Sequence, residues 1–150
     1  MKILMVCLGN ICRSPVAEGL LKAKVKNNNN LDIYIDSAGT SGWHNGEKAD
    51  LRSRKNAIKN GIDISDQRSR GVLSSDFDEF DIIYAMDESN YNNLIKMSPK
   101  QHHHKIKMIL NEAYPGENMS VPDPYYGNDG FQLVFDLLNK ACTIIAKNIK

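Results

Sequence analysis

The sequence predicts a single α/β domain with a parallel sheet, because strand-like and helix-like segments alternate along the whole chain. A length of 150 residues is enough to bury a sizeable core. No internal repeat or linker divides the chain, so we expect the domain to span residues 1–150. The predicted strands cover residues 2–7, a segment from 31 that ends near 37, 80–86 and 106–110. The predicted helices cover residues 15–26, 49–59, 87–96 and 129–148.

The first strand and the first helix are predicted from an apolar run followed by helix-start signals. Lys2–Cys7 is mostly apolar and rich in residues that favour strands. Ser14 then suits the N-cap of a helix and Pro15 its first position, and Glu18 places a negative charge near the positive end of the helix dipole. Arg13 is therefore expected to be the last loop residue before the helix.

Local signals also predict the later elements. Residues 31–40 alternate in character, as in a half-buried strand. The second helix is expected to stop at Asn60–Gly61, which is a common helix C-terminus. Asp87 is expected to cap the next helix. The last segment, 129–148, has the spacing of an amphipathic helix, with Cys142 on its core side.

Composition and charge argue against several classes of protein. The formal net charge of +1 gives no general attraction to nucleic acid or to an anionic membrane. No segment approaches the roughly 20 apolar residues of a membrane span. The N-terminal apolar run breaks at Gly9–Asn10 without a signal-peptide cleavage site. Three cysteines do not make a disulfide framework, so we expect a reducing, cytoplasmic location.

The loop after the first strand has the features of an anion-binding site. In open α/β sheets, ligands bind at the carboxyl ends of the strands, and the loop LGNICR joins such an end to a helix N-terminus. Its backbone N–H groups and the helix dipole favour a bound anion. Asn10, beside Gly9, can adopt the left-handed conformation that turns loop amides inward. The loop is neither a Walker A loop nor a GxGxxG loop.

Cys7 and Arg13, at the two ends of this loop, predict phosphoryl transfer. A thiol near a helix N-terminus and an arginine is expected to have a pKa below the usual value of about 8.5, and to be a thiolate near neutral pH. A thiolate in a phosphate-sized cradle is a nucleophile for phosphorus. Arg13 can bind two phosphoryl oxygens, and the Ser14 hydroxyl can stabilise the thiolate.

Two other interpretations of the loop are open on its spacing alone. Cys7 and Cys12 can be buried structural residues beside a glycine turn. They can also be zinc ligands together with His102, His103 and His104, although zinc-binding cysteine pairs usually lie on knuckles rather than across a strand-to-helix turn. Without zinc, the histidines are expected to form a solvated loop.

A second motif, VPDPYYG at residues 121–127, favours phosphoryl transfer. Asp123 lies between two prolines, which stiffen the backbone around it. A carboxylic acid in this place can protonate the leaving oxygen of a phosphate ester and then remove a proton from the attacking water. Tyr125 and Tyr126 can form a wall of the cleft and stack on an aryl leaving group.

Four segments of the chain resemble the low-molecular-weight protein tyrosine phosphatases: CLGNICRSP at 7–15, SAGT at 37–40, MDESN at 86–90 and DPYYG at 123–127. The resemblance implies a twisted four-stranded parallel sheet with helices on both faces. It implies hydrolysis of phosphotyrosine proteins and small aryl phosphates without a metal or other cofactor, and inhibition by phosphate and similar oxyanions. Cys7 would form a phosphocysteine, Arg13 would bind phosphate, and Asp123 would be general acid and then base. We further expect a monomer with at most weak self-association.

The resemblance also implies supporting roles for other residues. The rest of the phosphate-binding loop would be Leu8, Gly9, Asn10, Ile11, Cys12 and Ser14. Ser37 would belong to the network that shapes this loop, and Trp43 would lie at the mouth of the cleft. Gln67 stands where many relatives have a histidine that fixes the loop asparagine, and a glutamine cannot carry that charge. The extent to which the pKa of Cys7 is lowered depends on this difference.

Two loop residues carry further expectations. Ile11 favours phosphotyrosine, because relatives that resemble arginine phosphatases have a threonine there. By the same resemblance, Cys12 would trap an oxidised Cys7 as a disulfide and protect it from irreversible oxidation.

Two other functions are possible for the same loop. An arsenate reductase of the same fold would use Cys7, but such enzymes relay through an extra cysteine pair in the second half, where this chain has only Cys142. A non-catalytic module that binds phosphotyrosine or another anion would not need Asp123 as an acid.

Overall fold

A computed structural model describes residues 1–26, 32–125 and 130–149, and within these ranges strands and helices alternate as predicted. The elements are β1 (Lys2–Cys7), α1 (Arg13–Val25), β2 (Tyr34–Gly39), α2 (Leu51–Lys59), α3 (Ser74–Glu79), β3 (Ile82–Ala85), α4 (Glu88–Met97), β4 (Ile106–Met108) and α5 (Gly130–Asn148). Two 3-10 turns, Lys100–Lys105 and Ile109–Asn111, flank β4. The asparagine loop at 27–30 and Tyr126 lie outside the described residues.

The four strands form one parallel sheet in the order β2-β1-β3-β4. The predicted parallel α/β architecture is therefore confirmed. β1 is central, and its residue Met5 pairs with Ser37 of β2 on one side and Tyr84 of β3 on the other. β2 lies on one side of β1, and β3, the next strand along the chain, lies on the other side. The loop after β1 is therefore at the point where the strand order changes direction, at the carboxyl ends of the strands.

Helices cover both faces of the sheet, as predicted. Successive residues of a strand point to opposite faces. Ile3 and Met5 belong to a core shared with α1, α2 and α5, whereas Leu4 and Val6 belong to a second core shared with α3 and α4. Because both faces are buried, β1 is a continuous apolar run rather than an alternating one. A Leu4→Ala change would cost roughly 2–5 kcal/mol of stability.

The start of α1 differs from the prediction. The helix begins at Arg13, and Cys12 occupies the N-cap position without a side-chain cap hydrogen bond. Ser14 is therefore inside the first turn, where its hydroxyl contacts Cys7 and Asn10 instead of capping the helix. The preference of serine for the N-cap position is overridden here, because the Ser14 hydroxyl is used in the site. By contrast, Asp87 does cap α4, since its Oδ1 accepts from the Asn90 N–H at 2.7 Å.

Other boundaries shifted by a few residues, and one helix was missed. β2 continues past Ser37 to Gly39, and β4 ends at Met108 because a 3-10 turn follows it. The six-residue helix α3 was not predicted. It is held at its start by Asp76, whose carboxylate accepts from the Leu73 N–H at 2.8 Å.

The three neighbouring histidines lie far from the cysteines of the loop. His102, His103 and His104 belong to the 3-10 turn that precedes β4, whereas Cys7 ends β1. They therefore lie at opposite ends of the parallel strands. The zinc interpretation is therefore wrong. The histidines form a 3-10 turn rather than a loop, and none of them is buried, as expected for a solvated segment. His103 Nε2 also bonds the carbonyl of Ile95 at 3.0 Å. Within the described ranges, no group of three or more His, Cys, Asp or Glu residues is arranged to hold a metal.

No helix in the parts of the chain that the structure describes combines the length and the apolar character needed to cross a membrane.

Candidate active site

Asn10 fixes the shape of the loop between β1 and α1. It is buried and has a positive φ of 58°, a conformation that asparagine tolerates better than most residues. Its side-chain Nδ2 donates to Ser14 Oγ at 2.8 Å and to Ser37 Oγ at 2.9 Å. Its Oδ1 accepts from the Arg70 N–H at 3.0 Å. The side chain thus uses two donors and one acceptor to join the loop, α1, β2 and the segment before α3.

The Cys7 sulfur faces two donors from this framework. The Asn10 N–H points to Cys7 Sγ at 3.3 Å, and Ser14 Oγ lies 3.0 Å from the same sulfur. Because Ser14 Oγ already accepts from the Asn10 amide, its own proton is free to point at the sulfur. Hydrogen bonds to an ionised sulfur are stronger than those to a thiol. The site is therefore arranged to stabilise a thiolate at Cys7.

The network behind Asn10 continues into the interior. Ser37 Oγ donates to Glu18 Oε1 at 2.6 Å, and Lys22 Nζ donates to Glu18 Oε2 at 2.6 Å. Glu18 is only 4% exposed, so this carboxylate is a partner of Ser37 rather than only a charge near the helix dipole. Sequence reasoning missed this role. The i,i+4 spacing of Glu18 and Lys22 was a signal for the ion pair but not for Ser37.

Gln67 does not replace a histidine beside Asn10, so this prediction is wrong. Its Nε2 donates to the Pro15 carbonyl at 3.0 Å, and it supports the first turn of α1. The two serine hydroxyls use both N–H groups of the Asn10 side chain, and the Arg70 N–H, rather than Gln67, donates to its oxygen. Gln67 Oε1 is buried without a hydrogen-bond partner among the described residues.

Arg13 is held by an acid and by a carbonyl. Its Nη1 donates to Asp87 Oδ2 at 2.8 Å and to the Val121 carbonyl at 2.9 Å. The Asp87 carboxylate therefore uses one oxygen to cap α4 and the other to bind Arg13. Sequence reasoning found the cap but missed the ion pair. The largely buried guanidinium has a fixed position beside the loop.

Asp123 lies on a segment that is anchored at its base and exposed at its tip. Val121 is buried, and its N–H donates to the Met86 carbonyl at 2.8 Å. Asp123 itself is exposed, and its Oδ1 accepts from the Tyr125 N–H at 3.0 Å. The carboxylate is therefore positioned by its own turn while it remains in contact with solvent.

A cleft of about 150 Å³ brings most of the predicted residues together. It is lined by Cys7, Leu8, Gly9, Ile11, Cys12, Arg13, Ser41, Trp43, His44, Asp123, Pro124 and Tyr125. Asn10, Ser14 and Ser37 lie behind it. Trp43 is 91% exposed, which fits a position at the rim. A larger depression of about 500 Å³ beside β4 contains none of the predicted site residues, so size alone does not identify the site.

His44 is a lining residue that sequence reasoning missed. A Cβ on Gly9 would lie 3.0 Å from His44 Cδ2, so the imidazole packs closely on the loop and would have to shift for a larger residue. The position of His44 next to Trp43 was the available signal.

Cys12 faces a different part of the cleft. Its sulfur lies 2.9 Å from Tyr125 Oη, which in turn donates to Asp50 Oδ2 at 3.3 Å. Burial raises the pKa of Cys12 to about 11. Cys142 is fully buried in the core on α5, as predicted, so it is not available to the cleft.

A buried thiol that faces a loop amide and a hydroxyl, with a fixed guanidinium and an exposed carboxylic acid around the same cleft, defines the class of cysteine-dependent phosphatases. The comparisons with known proteins agree with this class. Residues 2–150 match the family model described as low molecular weight phosphotyrosine protein phosphatase. The chain belongs to this family.

Individual relatives are similar over nearly their whole length. The chain is 46% identical to a putative low molecular weight protein-tyrosine-phosphatase of Synechocystis, over 95% of this chain and 92% of that protein. It is 38% identical to the human low molecular weight phosphotyrosine protein phosphatase, over 93% of this chain and 90% of the human protein. A crystal structure of a protein tyrosine phosphatase from Entamoeba histolytica, with Hepes in its active site, superposes with a TM-score of 0.90 at 44% identity, over 97% of this chain and 94% of that one.

Proposed function

We propose that this protein hydrolyses phosphotyrosine through a phosphocysteine on Cys7. The observation that carries the proposal is the pair of donors on the Cys7 sulfur, the Asn10 N–H and the Ser14 hydroxyl, in a cleft that also contains Arg13 and Asp123. This arrangement stabilises a nucleophilic sulfur at the floor of an anion-binding loop.

In the first step, the Cys7 thiolate attacks phosphorus and the bond to the phenolic oxygen breaks. The loop N–H groups and Arg13 stabilise the charge on the equatorial oxygens. Asp123 donates a proton to the leaving phenolate oxygen. The guanidinium is already oriented by Asp87, so little reorganisation is needed when phosphate binds.

In the second step, water attacks the phosphocysteine. Asp123, now a carboxylate, removes a proton from the water, and phosphate leaves as the Cys7 thiolate forms again. The Ser14 hydroxyl, 3.0 Å from the sulfur, stabilises this leaving thiolate. Phosphate and similar oxyanions inhibit because they occupy the same loop.

The walls of the cleft favour an aryl phosphate. Leu8 and Ile11 add apolar surface, and the rings of Trp43 and Tyr125 can pack against a phenyl group. Phosphotyrosine reaches the floor of such a cleft, whereas the shorter phosphoserine does not bring an aryl ring to these walls. Tyr126 is proposed to share this role.

Cys12 is proposed as the redox partner of Cys7. Both are free thiols that line one cleft, five residues apart in the same loop. Three free thiols also fit a reducing, cytoplasmic location. The site residues that the structure describes come from one chain, so a monomer suffices for the reaction.

Hydrolysis of an aryl phosphate at about pH 5 to 6 in EDTA tests this function. We expect activity in the wild type, none in Cys7→Ser and a large loss in Asp123→Asn. Activity that survives the loss of Cys7 would contradict the mechanism. Phosphotyrosine, phosphoserine and phosphoarginine peptides, compared in the same assay, test the substrate class.

A further inference from the structure

Hydrogen-bond geometry around Cys12 fixes the direction of its proton. An ionised carboxylate can only accept, so Tyr125 Oη must donate its proton to Asp50 across the 3.3 Å contact. The hydroxyl oxygen then presents only lone pairs to Cys12 Sγ, which lies 2.9 Å away. Cys12 must therefore donate its own proton to Tyr125. The chain from Cys12 through Tyr125 to Asp50 is satisfied only while Cys12 is a thiol.

Of the other groups around Cys12, some favour its thiol form and others its thiolate form. Burial opposes a thiolate at Cys12 most strongly, and the Asp50 and Cys7 charges also oppose it, whereas a hydrogen bond from Ser53 favours it. Tyr125 favours a thiolate only when its hydroxyl proton turns from Asp50 to Cys12. Together they raise the pKa of Cys12 to about 11. Arg52 lies over the Tyr125 ring at 4.6 Å, but its guanidinium is paired with Asp50.

Asp50 is a fixed part of this arrangement. It is the N-cap of α2, where its Oδ1 accepts from the Arg52 N–H at 2.8 Å while Oδ2 faces Tyr125. Its backbone N–H donates to the Ile11 carbonyl at 2.7 Å, within the phosphate-binding loop. The helix start therefore places a negative charge next to the hydroxyl that contacts Cys12.

We propose that Asp50, acting through the Tyr125 hydroxyl, keeps Cys12 as a neutral thiol and thereby delays its disulfide bond with an oxidised Cys7. The proposal rests on the redox role given to Cys12 above. Tyr125 and Asp50 are positioning residues here, because they act on the reactivity of Cys12.

Formation of the disulfide takes two steps. A peroxide transfers one oxygen to the Cys7 thiolate, which becomes a sulfenic acid, and hydroxide is released. The Cys12 sulfur then attacks the Cys7 sulfur, so that an S–S bond forms, the S–O bond breaks, and the hydroxyl leaves as water with the Cys12 proton. Only a thiolate attacks efficiently. Holding Cys12 protonated therefore slows the second step and leaves the first unchanged.

The decisive variant is Asp50→Asn, because asparagine is as good an N-cap as aspartate and preserves the start of α2. Its amide can donate to Tyr125 Oη, which frees the hydroxyl proton for a thiolate at Cys12. Asp63→Asn is the matched control. Asp63 makes a similar turn contact with the Ser65 N–H, and its loss changes the net charge equally, but it does not line the cleft.

The first measurement is the rate of Cys12 alkylation by iodoacetamide against pH, in full-length Cys7→Ser/Cys142→Ser protein, with peptide mass spectrometry as readout. Asp50→Asn is expected to increase the rate at pH 8 about tenfold, which is the effect of one pKa unit. Asp63→Asn should leave it unchanged. Equal rates with and without Asp50 would overturn the proposal.

A double-mutant cycle tests the route through the hydroxyl. Tyr125→Phe removes Oη and keeps the ring, so Asp50→Asn should change the alkylation rate much less in this background. An undiminished effect of Asp50→Asn in Tyr125→Phe would show that the charge acts directly on Cys12, and would overturn the role of Tyr125.

A second measurement uses protein with all three cysteines. After a peroxide pulse and catalase quench, thiol trapping and mass spectrometry follow the Cys7–Cys12 disulfide. Asp50→Asn should form it several-fold faster, and Cys12→Ser should abolish it in both backgrounds. Because the alkylation assay uses no hydrolysis, it is independent of the phosphatase assay. Failure of one proposal can therefore be distinguished from failure of the other.

Discussion

The two sides of the cleft are built differently. On the phosphate-binding side, Asn10 is 2% exposed and its side chain makes three hydrogen bonds to separate segments. On the acid side, Asp123 is exposed, and its hydrogen bond is to the N–H of Tyr125 in its own turn. The two sides meet where the Val121 carbonyl accepts from Arg13 and where Cys12 Sγ lies 2.9 Å from Tyr125 Oη.

This difference follows from what each side must do. Binding a phosphoryl group requires dipoles that are oriented before the substrate arrives, so burial and several hydrogen bonds are an advantage. The acid must reach the leaving oxygen in the first step and the attacking water in the second, so exposure is an advantage. We therefore expect changes on the phosphate-binding side to affect stability and activity together, and changes on the acid side to affect activity alone.

The largest effect is expected from Asp123→Asn. It should lower kcat/KM, which reports the first step alone, about 10²–10³-fold for substrates with a poor leaving group, because general acid catalysis contributes that much. The loss should be small for a nitrophenolate, which leaves without a proton. Stability should change by less than about 0.5 kcal/mol, since Asp123 is exposed. A plot of kcat/KM against leaving-group pKa checks this, and equal losses in kcat/KM across the series would contradict the acid role.

Asn10→Ala is expected to lower kcat/KM about 10²-fold and to destabilise the protein by roughly 2–4 kcal/mol. It leaves the Arg70 N–H without its acceptor, removes the amide donor from two buried hydroxyls, and places alanine at positive φ. Urea unfolding and aryl phosphate kinetics are the measurements.

Asn10→Gly is the matched variant, because glycine accepts the positive φ but also lacks the amide. It should recover about 1 kcal/mol of stability and little of the activity. Full recovery of activity in Asn10→Gly would show that the backbone conformation, and not the side-chain network, supports Cys7.

Asp87→Asn is expected to lower kcat/KM about tenfold, because Arg13 loses the carboxylate that orients it. Asparagine keeps the cap of α4, so this helix should be unaffected. Inhibition by inorganic phosphate should be measured beside turnover. Tighter phosphate binding with unchanged turnover would mean that Asp87 neutralises Arg13 rather than positioning it.

The fold was predictable because its signals are local. The continuous apolar run of β1 and the alternation of strands with helices were sufficient for a parallel sheet. The start of α1 could not be predicted in this way. Serine is strongly preferred at the N-cap, but the Ser14 hydroxyl contacts Cys7 and Asn10 instead. Helix α3 was missed because a six-residue helix held by Asp76 has too few turns to show a period.

The site was predictable in part. The motifs predicted that Cys7, Arg13 and Asp123 act at one site, and in the structure all three line the same cleft. The contacts that join distant segments were not predictable from spacing. The Arg13–Asp87 ion pair and the bond between Ser37 and Glu18 depend on how β2, α1 and α4 pack. One sequence cannot specify such long-range partners.

The last effect in this series concerns the pH dependence of stability. Burial raises the pKa of Cys12 from 9.0 to about 11. The folded protein therefore holds this proton more tightly than the unfolded chain does. The resulting stability is fully present below about pH 9 and is lost as pH rises toward 11, at up to about 1.4 kcal/mol per pH unit. Cys142, whose pKa is raised to about 12 by burial in the core, adds a similar loss.

Urea unfolding between pH 7 and 10.5, in a reducing buffer, measures this loss. Cys12→Ser should reduce the decline above pH 9, because serine does not ionise there, and the decline that remains should reflect Cys142. An unchanged slope in Cys12→Ser would mean that the Cys12 thiol ionises as freely in the folded state as in the unfolded chain. In that case the phosphate-binding side would be more open to solvent than the hydrogen bonds of Asn10 indicate. It would then differ less from the exposed acid side.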